Sequence, residues 1–406
     1  MLGWALLARK SVRQRFHPNE RVLSLMESFR QMTNVCIRTG LESDASSLRK
    51  LSLLTYSQLQ DFHTPSYYKL CAISKAAGIL AARKKSIKRG YRTKNPYLKK
   101  PLLTSCYGFK IDGENLLIPV GQREFETIPL NTHTMRTLAE HKVCTCSFTL
   151  TPESLSLCVS KEIEAVAGLT GCVGVDRNLG NLTVGNPDAV TYYDMSKVAV
   201  IAKTTREIVG SFKRNDTRIR KGIVGKYGER RKNRIRQLLH GVSKQVVDSA
   251  LRNRQGIVFE DILEIRRLYR KGNWQGKGYR ARMNNWPFHE IKRQIEYKAA
   301  WVGVPVITLT KAETRGTSQI CPRCGERLQS SKKLSRKLWC QRCREMFDRD
   351  LVAVLNISQR GRLRFERSEG VGVEAMVQEP DAGPSRPKVI LKVDPTKLTQ
   401  SHEPQS

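Results

Sequence analysis

The sequence predicts an α/β domain with an inserted zinc ribbon, preceded by a helical block and a small β-rich block. Three observations lead to this prediction. Between residues 170 and 310, short apolar runs typical of buried strands alternate with long helical stretches. Two Cys-x-x-Cys pairs follow near the C-terminus. Before residue 170, the apolar periodicity changes from a helical to an alternating pattern.

The N-terminal half of the chain divides into two blocks by this periodicity. Residues 18–90 are apolar at intervals of three and four, as at Val22, Leu25 and Phe29, and this spacing predicts helices. From about 104 to 168, short stretches alternate between apolar and polar residues and are separated by turn residues. That pattern predicts a small β-barrel or sandwich.

The C-terminal half begins with buried-type strands. Long helical patterns occupy 203–253 and begin again near Pro287, which is a favourable residue for a first helical turn. A short helix is expected to open at Asp350. The predicted strands are 172–176, 182–184, 257–260 and 304–309.

The chain is strongly basic, with 72 Lys and Arg against 37 Asp and Glu and a formal charge of +35. This charge predicts a polyanionic partner, because each neutralised phosphate releases condensed counterions. No apolar segment is long enough to span a bilayer, so we expect a cytoplasmic, nucleoid-associated protein without a membrane partner. The sequence contains no Gly-rich phosphate loop and no Ser/His/Asp order, which argues against ATP dependence and acyl chemistry.

These patterns also set the expected domain boundaries. The tail is rich in Gly, Pro and Ser and mixed in charge, so we expect it to be disordered. The predicted domains are 1–17 as the first strand or strands of a β-barrel-like domain, 18–100 as a helical nucleic-acid recognition block, 101–168 as the rest of the β-barrel-like domain, 169–310 as the first part of the α/β domain, 311–346 as the zinc ribbon, 347–359 as the last helix of the α/β domain, and 360–406 as the tail.

Four cysteines have the spacing of a metal site. Cys321 and Cys324 form one pair and Cys340 and Cys343 the other, with fifteen residues between the pairs. Four thiolates complete a tetrahedral Zn²⁺ shell and leave no open position, so the predicted zinc is structural. The alternative is a loop with unpaired cysteines. The seven remaining cysteines have no repeated spacing and are expected to be reduced residues of a cytosolic protein.

Three carboxylates stand where predicted strands or helices begin or end. Asp176 and Glu260 close buried strands, and Asp350 opens the helix after the zinc module. Three such acids meeting at a sheet edge can bind two Mg²⁺ for displacement at a phosphodiester. Each acid alone is more often a solvated turn residue. The neighbouring acids compete for the same roles, and the residues themselves do not decide between Asp348 and Asp350; the competitors are Asp261, Glu264 and Asp348.

A basic loop with interleaved aromatic rings follows Glu260. Rings between cations suit stacked bases and tracked phosphates, although a solvated loop with extended cations would have the same composition. Residues 83–100 and 203–236 are broader basic surfaces. The predicted nucleic-acid-binding residues are Arg266, Arg267, Tyr269, Arg270, Lys271, Trp274, Lys277, Tyr279, Arg280 and Arg282.

The ordered motifs of the C-terminal half resemble those of the TnpB family. Its members are transposon-encoded proteins, long labelled transposases, and relatives of the type V CRISPR effectors. The match covers about 170–358. The matching stretches are 174–182 (GVDRNLGNL), 259–262 (FEDI), 317–325 (TSQICPRCG) and 347–350 (FDRD), with Asn356 and Ile357 beyond them.

The resemblance implies a RuvC-like nuclease domain of the RNase H-type α/β fold. In this family the acids that end the first and fourth strands and open the last helix bind the metals, and these match Asp176, Glu260 and Asp350. The family uses the second acid of its Asp-Arg-Asp element, which favours Asp350 over Asp348. The resemblance also implies that an RNA guide selects the DNA target by base pairing.

The sequence departs from the common family pattern at three positions. Asn178 stands where many members have Gly, and Asn tolerates a left-handed turn. Val352 and Val354 replace a frequent Asn and a frequent Ala after Asp350. We expect these changes to affect helix packing, and the lost Asn to weaken a contact near the metals.

The leading hypothesis is an RNA-guided DNA endonuclease of a transposable element that uses two-metal hydrolysis. Its cofactors would be structural Zn²⁺ and catalytic Mg²⁺, and its partners a guide RNA and double-stranded target DNA. The alternatives are a DNA-strand transposase with the same acids and a non-catalytic zinc-ribbon binder of nucleic acid. The sequence leaves the guide, the adjacent DNA motif, the cut pattern and the oligomeric state open.

Overall fold

The computed structural model describes residues 6–121, 123–212, 217–262, 265, 269, 274–330, 336–368 and 388–392. The chain divides into two compact units. One unit is Leu7–Glu162, and the other consists mainly of the chain from Ile163 onward. Each unit contains its own set of buried apolar side chains, as a domain with its own core requires.

Three helices form the helical part of the first unit. Asn19 and Ser47 cap the first two, because their side-chain oxygens accept hydrogen bonds from the backbone N–H groups of Val22 and Lys50 at 3.0 and 3.4 Å. The last of these helices ends at Lys88, so helical structure stops before the end of the predicted block. The helices are α1 (Glu20–Glu42), α2 (Leu48–Thr55) and α3 (Ser66–Lys88).

Seven described strands of the first unit form two small sheets. They are β1 (Leu6–Arg15), β2 (Leu103–Ser105), β3 (Lys110–Asp112), β4 (Asn115–Pro119), β5 (Phe125–Pro129), β6 (Val143–Thr151) and β7 (Ser154–Ile163), with helix α4 (Thr132–Leu138) between β5 and β6. The four-stranded sheet has the order β1–β7–β6–β2, and the other is the antiparallel β3–β4–β5 meander. Across the described strands, both ladders end in edge strands, so the β-barrel-like prediction is corrected to two open sheets.

The second unit is built on a six-stranded mixed sheet with the order β12–β11–β8–β9–β10–β16. Strands β8, β9 and β10 are antiparallel neighbours, whereas β11 is parallel to β8 and β12 is parallel to β11. The carboxyl ends of β8 and β11 therefore meet at one edge, called here the acidic edge because Asp176 and Glu260 lie there. The strands are β8 (Gly171–Arg177), β9 (Asn181–Gly185), β10 (Ala189–Asp194), β11 (Gln255–Glu260), β12 (Val306–Leu309) and β16 (Lys388–Lys392).

Two of these strands were not predicted. Strand β10 was missed because only two of its six residues are buried, so apolar and polar residues do not alternate clearly along it. Strand β16 pairs in parallel with β10 and lies within the tail that was expected to be disordered. The chain beyond residue 360 therefore contains some regular structure, and the tail prediction was wrong for residues 388–392.

Helices cover the sheet of the second unit. The predicted helix over 203–253 is two helices, and the last helix continues beyond residue 359 to Ser368. It continues because Gly361 packs on Val258 and the ring of Phe365 packs on Gly256, so both residues meet the sheet. The helices are α5 (Ser196–Ser211), α6 (Thr217–Arg252), α7 (Lys277–Asn285), α8 (Phe288–Trp301) and α9 (Arg349–Ser368).

A small antiparallel sheet precedes α9 and carries the cysteine pairs. Its strands are β13 (Gln329–Ser330), β14 (Lys337–Cys340) and β15 (Glu345–Asp348), in that order. Leu328, Leu338 and Phe347 form its small core together with buried cysteines. Separately, none of the described helices is both long and apolar enough to cross a membrane.

Candidate active site

The four predicted cysteine ligands converge. Their sulphur atoms all lie within 4.8 Å of one another, with 3.8 Å between Cys321 and Cys343 and 3.4 Å between Cys324 and Cys340. A tetrahedral zinc site with Zn–S bonds of about 2.3 Å has sulphur–sulphur edges of about 3.8 Å. The arrangement can therefore hold one zinc ion in a closed four-sulphur shell.

The cysteine module is fastened to helix α9. Asn356 donates hydrogen bonds from its side-chain nitrogen to the carbonyl oxygens of Thr317 and Ile320, at 2.7 and 2.8 Å. Ile320 directly precedes Cys321, so these bonds connect the first cysteine pair to the helix that Asp350 opens. Val352 is fully buried and packs against the module's core, so the departure from the family pattern at this position serves packing.

Sheet register brings Asp176 and Glu260 together. Strand β11 is paired in parallel with β8, with Val258 opposite Gly174 and Phe259 opposite Val175. Glu260 is thus the next residue along, beside Asp176, on neighbouring strands that are about 4.8 Å apart. Asp261 follows beyond the end of β11, and Glu264 lies outside the described residues.

Asp350 reaches the same edge because α9 packs tightly on β8. A Cβ atom on Gly174 would collide with the carbonyl oxygen of Val354 and lie 2.9 Å from the backbone nitrogen of Ser358. Only glycine permits this approach. Asp350 stands one helical turn before Val354 on the same face, and it is 4% exposed. The helix therefore delivers its first-turn carboxylate toward the end of β8.

Asp348 and Asp350 differ in their hydrogen-bond partners. The Asp348 carboxylate accepts hydrogen bonds from the backbone N–H groups of Asp350 and Leu351, at 2.8 and 3.4 Å. Asp348 thus caps the start of α9, where an acid satisfies free N–H groups and favours the helix dipole. Asp350 remains available to the acid cluster.

The carboxylates of Glu260 and Asp350 are close enough to Asp176 for their negative charges to act on it. Burial, followed by the negative charges of Glu260 and Asp350, raises the pKa of Asp176 to about 7. Burial also raises the pKa of Glu260, against the opposing charge of Arg177. Their oxygens are spread more widely than the cysteine sulphurs, which form the one group of three or more such ligands within 4.8 Å among the described residues.

Polar neighbours hold the acids in place. Asn178 donates a hydrogen bond to Asp176 at 2.7 Å, and Asn181 donates one to Asp350 at 3.1 Å. The expected left-handed backbone occurs at Gly180 rather than at Asn178. Arg177, the residue after Asp176, donates to the carbonyl oxygens of Glu260 and Phe288, at 2.6 and 3.1 Å, and so connects the end of β8 to its neighbours.

Sequence reasoning missed Arg336. This residue comes from the cysteine module, just before β14, and its guanidinium contacts the carboxylate of Asp350. Its positive charge also acts on Asp176. The signal available in the sequence was weak, because Arg336 is one of several cations between the cysteine pairs.

The structure separates the predicted nucleic-acid-binding residues into three groups. Arg266, Arg267, Arg270 and Lys271 lie outside the described residues. Tyr269 is packed in the core of the second unit, so the prediction that its ring stacks on bases was wrong. Trp274 is fully exposed, and the segment from Lys277 onward is helix α7 rather than a loop. The exposed or partly exposed side chains are Trp274, Lys277, Tyr279, Arg280 and Arg282.

Known proteins resemble this chain in sequence and fold. The Cas12f1-like TNB domain model matches residues 288–357, which include the cysteine module. A TnpB-like protein of Methanocaldococcus jannaschii is 32% identical over 204 residues, which cover 46% of this chain and 68% of that protein. The CRISPR-associated endodeoxyribonuclease Cas12f1 of Sulfoacidibacillus thermotolerans is 29% identical over 121 residues, covering 29% of this chain and 25% of that protein.

One solved structure extends the likeness to the fold. The cryo-EM structure of a Cas12f1–sgRNA–target DNA complex matches with a TM-score of 0.58 and 14% identity, covering 84% of this chain and 83% of that one. The fold is therefore similar to that of Cas12f1, and the sequence is related to TnpB-like proteins and to the endodeoxyribonuclease Cas12f1. The chain belongs to the TnpB family, as its ordered motifs predicted.

Proposed function

We propose that this protein is an RNA-guided, Mg²⁺-dependent endodeoxyribonuclease of a transposable element, with a RuvC-like active site. The observation that carries the proposal is the meeting of Asp176, Glu260 and Asp350 at the acidic edge. They come from three different elements, and Asp176 is buried despite the neighbouring negative charges. A buried cluster of like charges is costly unless a cation joins it.

The donor set fits magnesium. Carboxylate oxygens are the ligands that hard divalent cations prefer. Two Mg²⁺ ions held there would supply an activated water and stabilise the leaving oxygen of a phosphodiester. The contact between Arg336 and Asp350 supports the fit, because a cationic side chain already partly balances this cluster.

The chain's own residues would prepare the site. Asn178 and Asn181 would orient the carboxylates of Asp176 and Asp350 through the hydrogen bonds described above. Arg177 would keep the ends of β8 and β11 at a constant separation. Arg336 is about half exposed, so its guanidinium can turn from Asp350 to a bound phosphate, to which it can donate two parallel hydrogen bonds.

The proposed zinc is structural. Bound by Cys321, Cys324, Cys340 and Cys343, it would stiffen a module whose core is very small. Structural zinc supplies about 10–16 kcal/mol of apparent binding free energy to such modules. The module carries Arg336 and holds α9 through Asn356, so zinc would act on cleavage by positioning these two elements.

The nucleic-acid partners follow from charge and relatedness. A guide RNA would select the DNA by base pairing. The exposed residues Trp274, Lys277 and Tyr279, with Arg280 and Arg282, are proposed to contact the strand near the acidic edge, because α7 directly precedes α8 there.

A cleavage assay with the co-purified RNA tests the proposal. The full-length protein would be isolated with its bound RNA, the RNA sequenced, and matching DNA supplied with Mg²⁺. We expect cuts that require both the match and Mg²⁺. Asp176→Asn should abolish them, whereas Asp348→Asn should cut normally because Asp348 only caps α9. Undiminished cutting by Asp176→Asn would overturn the site.

A further inference from the structure

Helix α6 consists of two halves with different surroundings. Its C-terminal half packs in the core of the second unit. The residues before Leu239 include no buried side chain among those the structure describes. Twelve helical residues span about 18 Å, which is close to the height of a six-residue strand, so the packed half alone covers the sheet. The buried apolar residues are Leu239, Val242, Val246, Val247 and Ala250, and Ser243 is buried among them.

The exposed half of α6 projects beyond the acidic edge. Arg231 on α6 donates a hydrogen bond to Asn285, the last residue of α7 and three residues before α8, at 3.4 Å. Ser243, farther along α6, donates one to Gln294 within α8 at 3.2 Å, so α6 and α8 run in the same direction. Helix α8 begins at the acidic edge, where Phe288 accepts a bond from Arg177. The residues of α6 before Arg231 therefore extend past that edge, by about 21 Å for fourteen helical residues.

Helix α5 leads out from the same edge. The backbone N–H of Met195, just before α5, donates to the carbonyl oxygen of Gly180 in the turn after β8, at 2.8 Å. Val198, Ile201 and Ala202 are buried at the start of α5, and the rest of the helix is exposed or half-buried. Helices α5 and α6 pack on each other, and their exposed parts are called here the basic arm (203–211 and 217–238).

The basic arm is strongly positive. Over 217–238 the sequence has nine Lys and Arg residues and a single acid, Glu229. Lys226, Arg230 and Arg234 are all exposed. They are spaced four residues apart, so they form one row along the helix.

We propose that the basic arm binds the phosphate backbone of the DNA duplex that enters or leaves the acidic edge. The arm's projecting length of about 21 Å corresponds to about six base steps of 3.4 Å. The commitment to DNA rests on the proposed function, since the arm extends from the edge where DNA would be cut. Binding by the arm would not depend on the DNA sequence, because the row of cations would contact phosphates rather than base edges.

The test compares two ends of one helix. The arm variant carries Lys226→Gln, Arg230→Gln and Arg234→Gln. The control carries Lys244→Gln, Arg252→Gln and Arg254→Gln, which removes the same charge from exposed residues near the opposite edge of the sheet. Binding of the full-length, zinc-loaded protein to a 30-bp random-sequence DNA duplex is measured without Mg²⁺ over a series of salt concentrations. Circular dichroism establishes that both variants fold.

The salt dependence is the decisive quantity. Each lost phosphate contact lowers the slope of log K against log salt by about 0.9, so the arm variant should lose about 2.7 and bind roughly 10- to 100-fold more weakly at moderate salt. The control should keep the wild-type slope. Equal losses in both variants, or no loss in the arm variant, would overturn the proposal. Binding to an RNA hairpin is measured in parallel. If the arm variant loses affinity for this RNA but keeps its affinity for the DNA duplex, the proposal is also overturned.

The two proposals can fail separately. Binding without Mg²⁺ requires no cleavage, so the arm can be tested even in a chain that proves inactive. If the wild-type protein cuts guided DNA and the arm variant retains both DNA affinity and cutting, only the arm proposal fails. If neither protein cuts but the arm variant alone loses DNA affinity, only the nuclease proposal fails.

Discussion

The cysteine module and the acidic edge both gather ligands for a cation, but they do so in different ways. The cysteines come from two pairs close in sequence, and their sulphurs lie at the distances of a tetrahedral metal site. The acids come from three elements that span about 175 residues of chain, and their oxygens are more widely spread. The module's core includes its own ligands, whereas the acids depend on the packing of a large sheet and a helix.

This difference indicates different roles for the two sites. A closed sulphur shell offers no position for substrate, so a metal bound there would stabilise structure. The acid cluster instead places carboxylates at the acidic edge of the sheet. The positive charge of Arg336 balances part of their negative charge. A cation would stabilise a site with unbalanced negative charge the most, and such a site can exchange one charged partner for another.

The largest effect should come from the acids. Asp176→Asn removes a ligand and should reduce guided cleavage by at least about a thousandfold. Folding should be retained, because the substitution removes a buried charge that its neighbours repel. Gel-based cleavage rates and a thermal melt check this. Asp348→Asn is the matched control: Asn caps a helix about as well as Asp, so both stability and cleavage should be preserved.

Loss of zinc should affect activity indirectly. Cys324→Ser should eliminate one equivalent of zinc, measured by elemental analysis, and lower the melting temperature. Cleavage should fall by about a hundredfold or more, because misplacement of catalytic groups by about 1 Å has that effect. Cys144→Ser, at an exposed cysteine outside the module, should retain zinc and activity. A zinc-free Cys324→Ser protein with full activity would show that the two sites are independent.

Arg336 is the direct contact between the two regions. Arg336→Gln should reduce cleavage by about a hundredfold, the usual loss when a donor to a developing charge is removed. Zinc content should not change. Arg342→Gln, at an exposed position on the same module, should have little effect. Equal rates for the two variants would mean that the module contributes no chemistry of its own.

Gly174 tests the packing that delivers Asp350. Gly174→Ala places a methyl group against the backbone of α9 and should cost about 1–3 kcal/mol of unfolding free energy. Cleavage should fall further than the loss of stability explains, because α9 must shift. Gly210→Ala is the control, since its Cβ would meet open space. Chemical denaturation measures both.

The smallest effect concerns pH. The pKa of Asp176 is raised to about 7, from a usual value near 4. The protonated form therefore favours folding, and this contribution is present below about pH 4 and lost as the pH rises through 7. Without Mg²⁺, the free energy of unfolding of the wild-type protein should fall over that window more than that of Asp176→Asn. Parallel curves for the two proteins would contradict the shared environment of the acids.

The cysteine module could be predicted from the sequence more completely than the acidic edge. The cysteine ligands were found from spacing alone, because both pairs lie in one short module. For the acids, the residues marked strand ends but did not choose between Asp348 and Asp350, and only the family resemblance did. The capping bonds of Asp348, the missed strand β10, the burial of Tyr269 and the position of Arg336 depend on tertiary packing, which local patterns do not contain.

The most direct measurement is anomalous diffraction from crystals of the zinc-loaded protein soaked in Mn²⁺ as a substitute for Mg²⁺. We expect a manganese peak bound by carboxylate oxygens of Asp176, Glu260 and Asp350, with Arg336 moved away from Asp350, and no such peak in Asp176→Asn crystals. A site that stays empty at saturating Mn²⁺, with Arg336 still on Asp350, would contradict the claim that these acids form a metal-dependent active site.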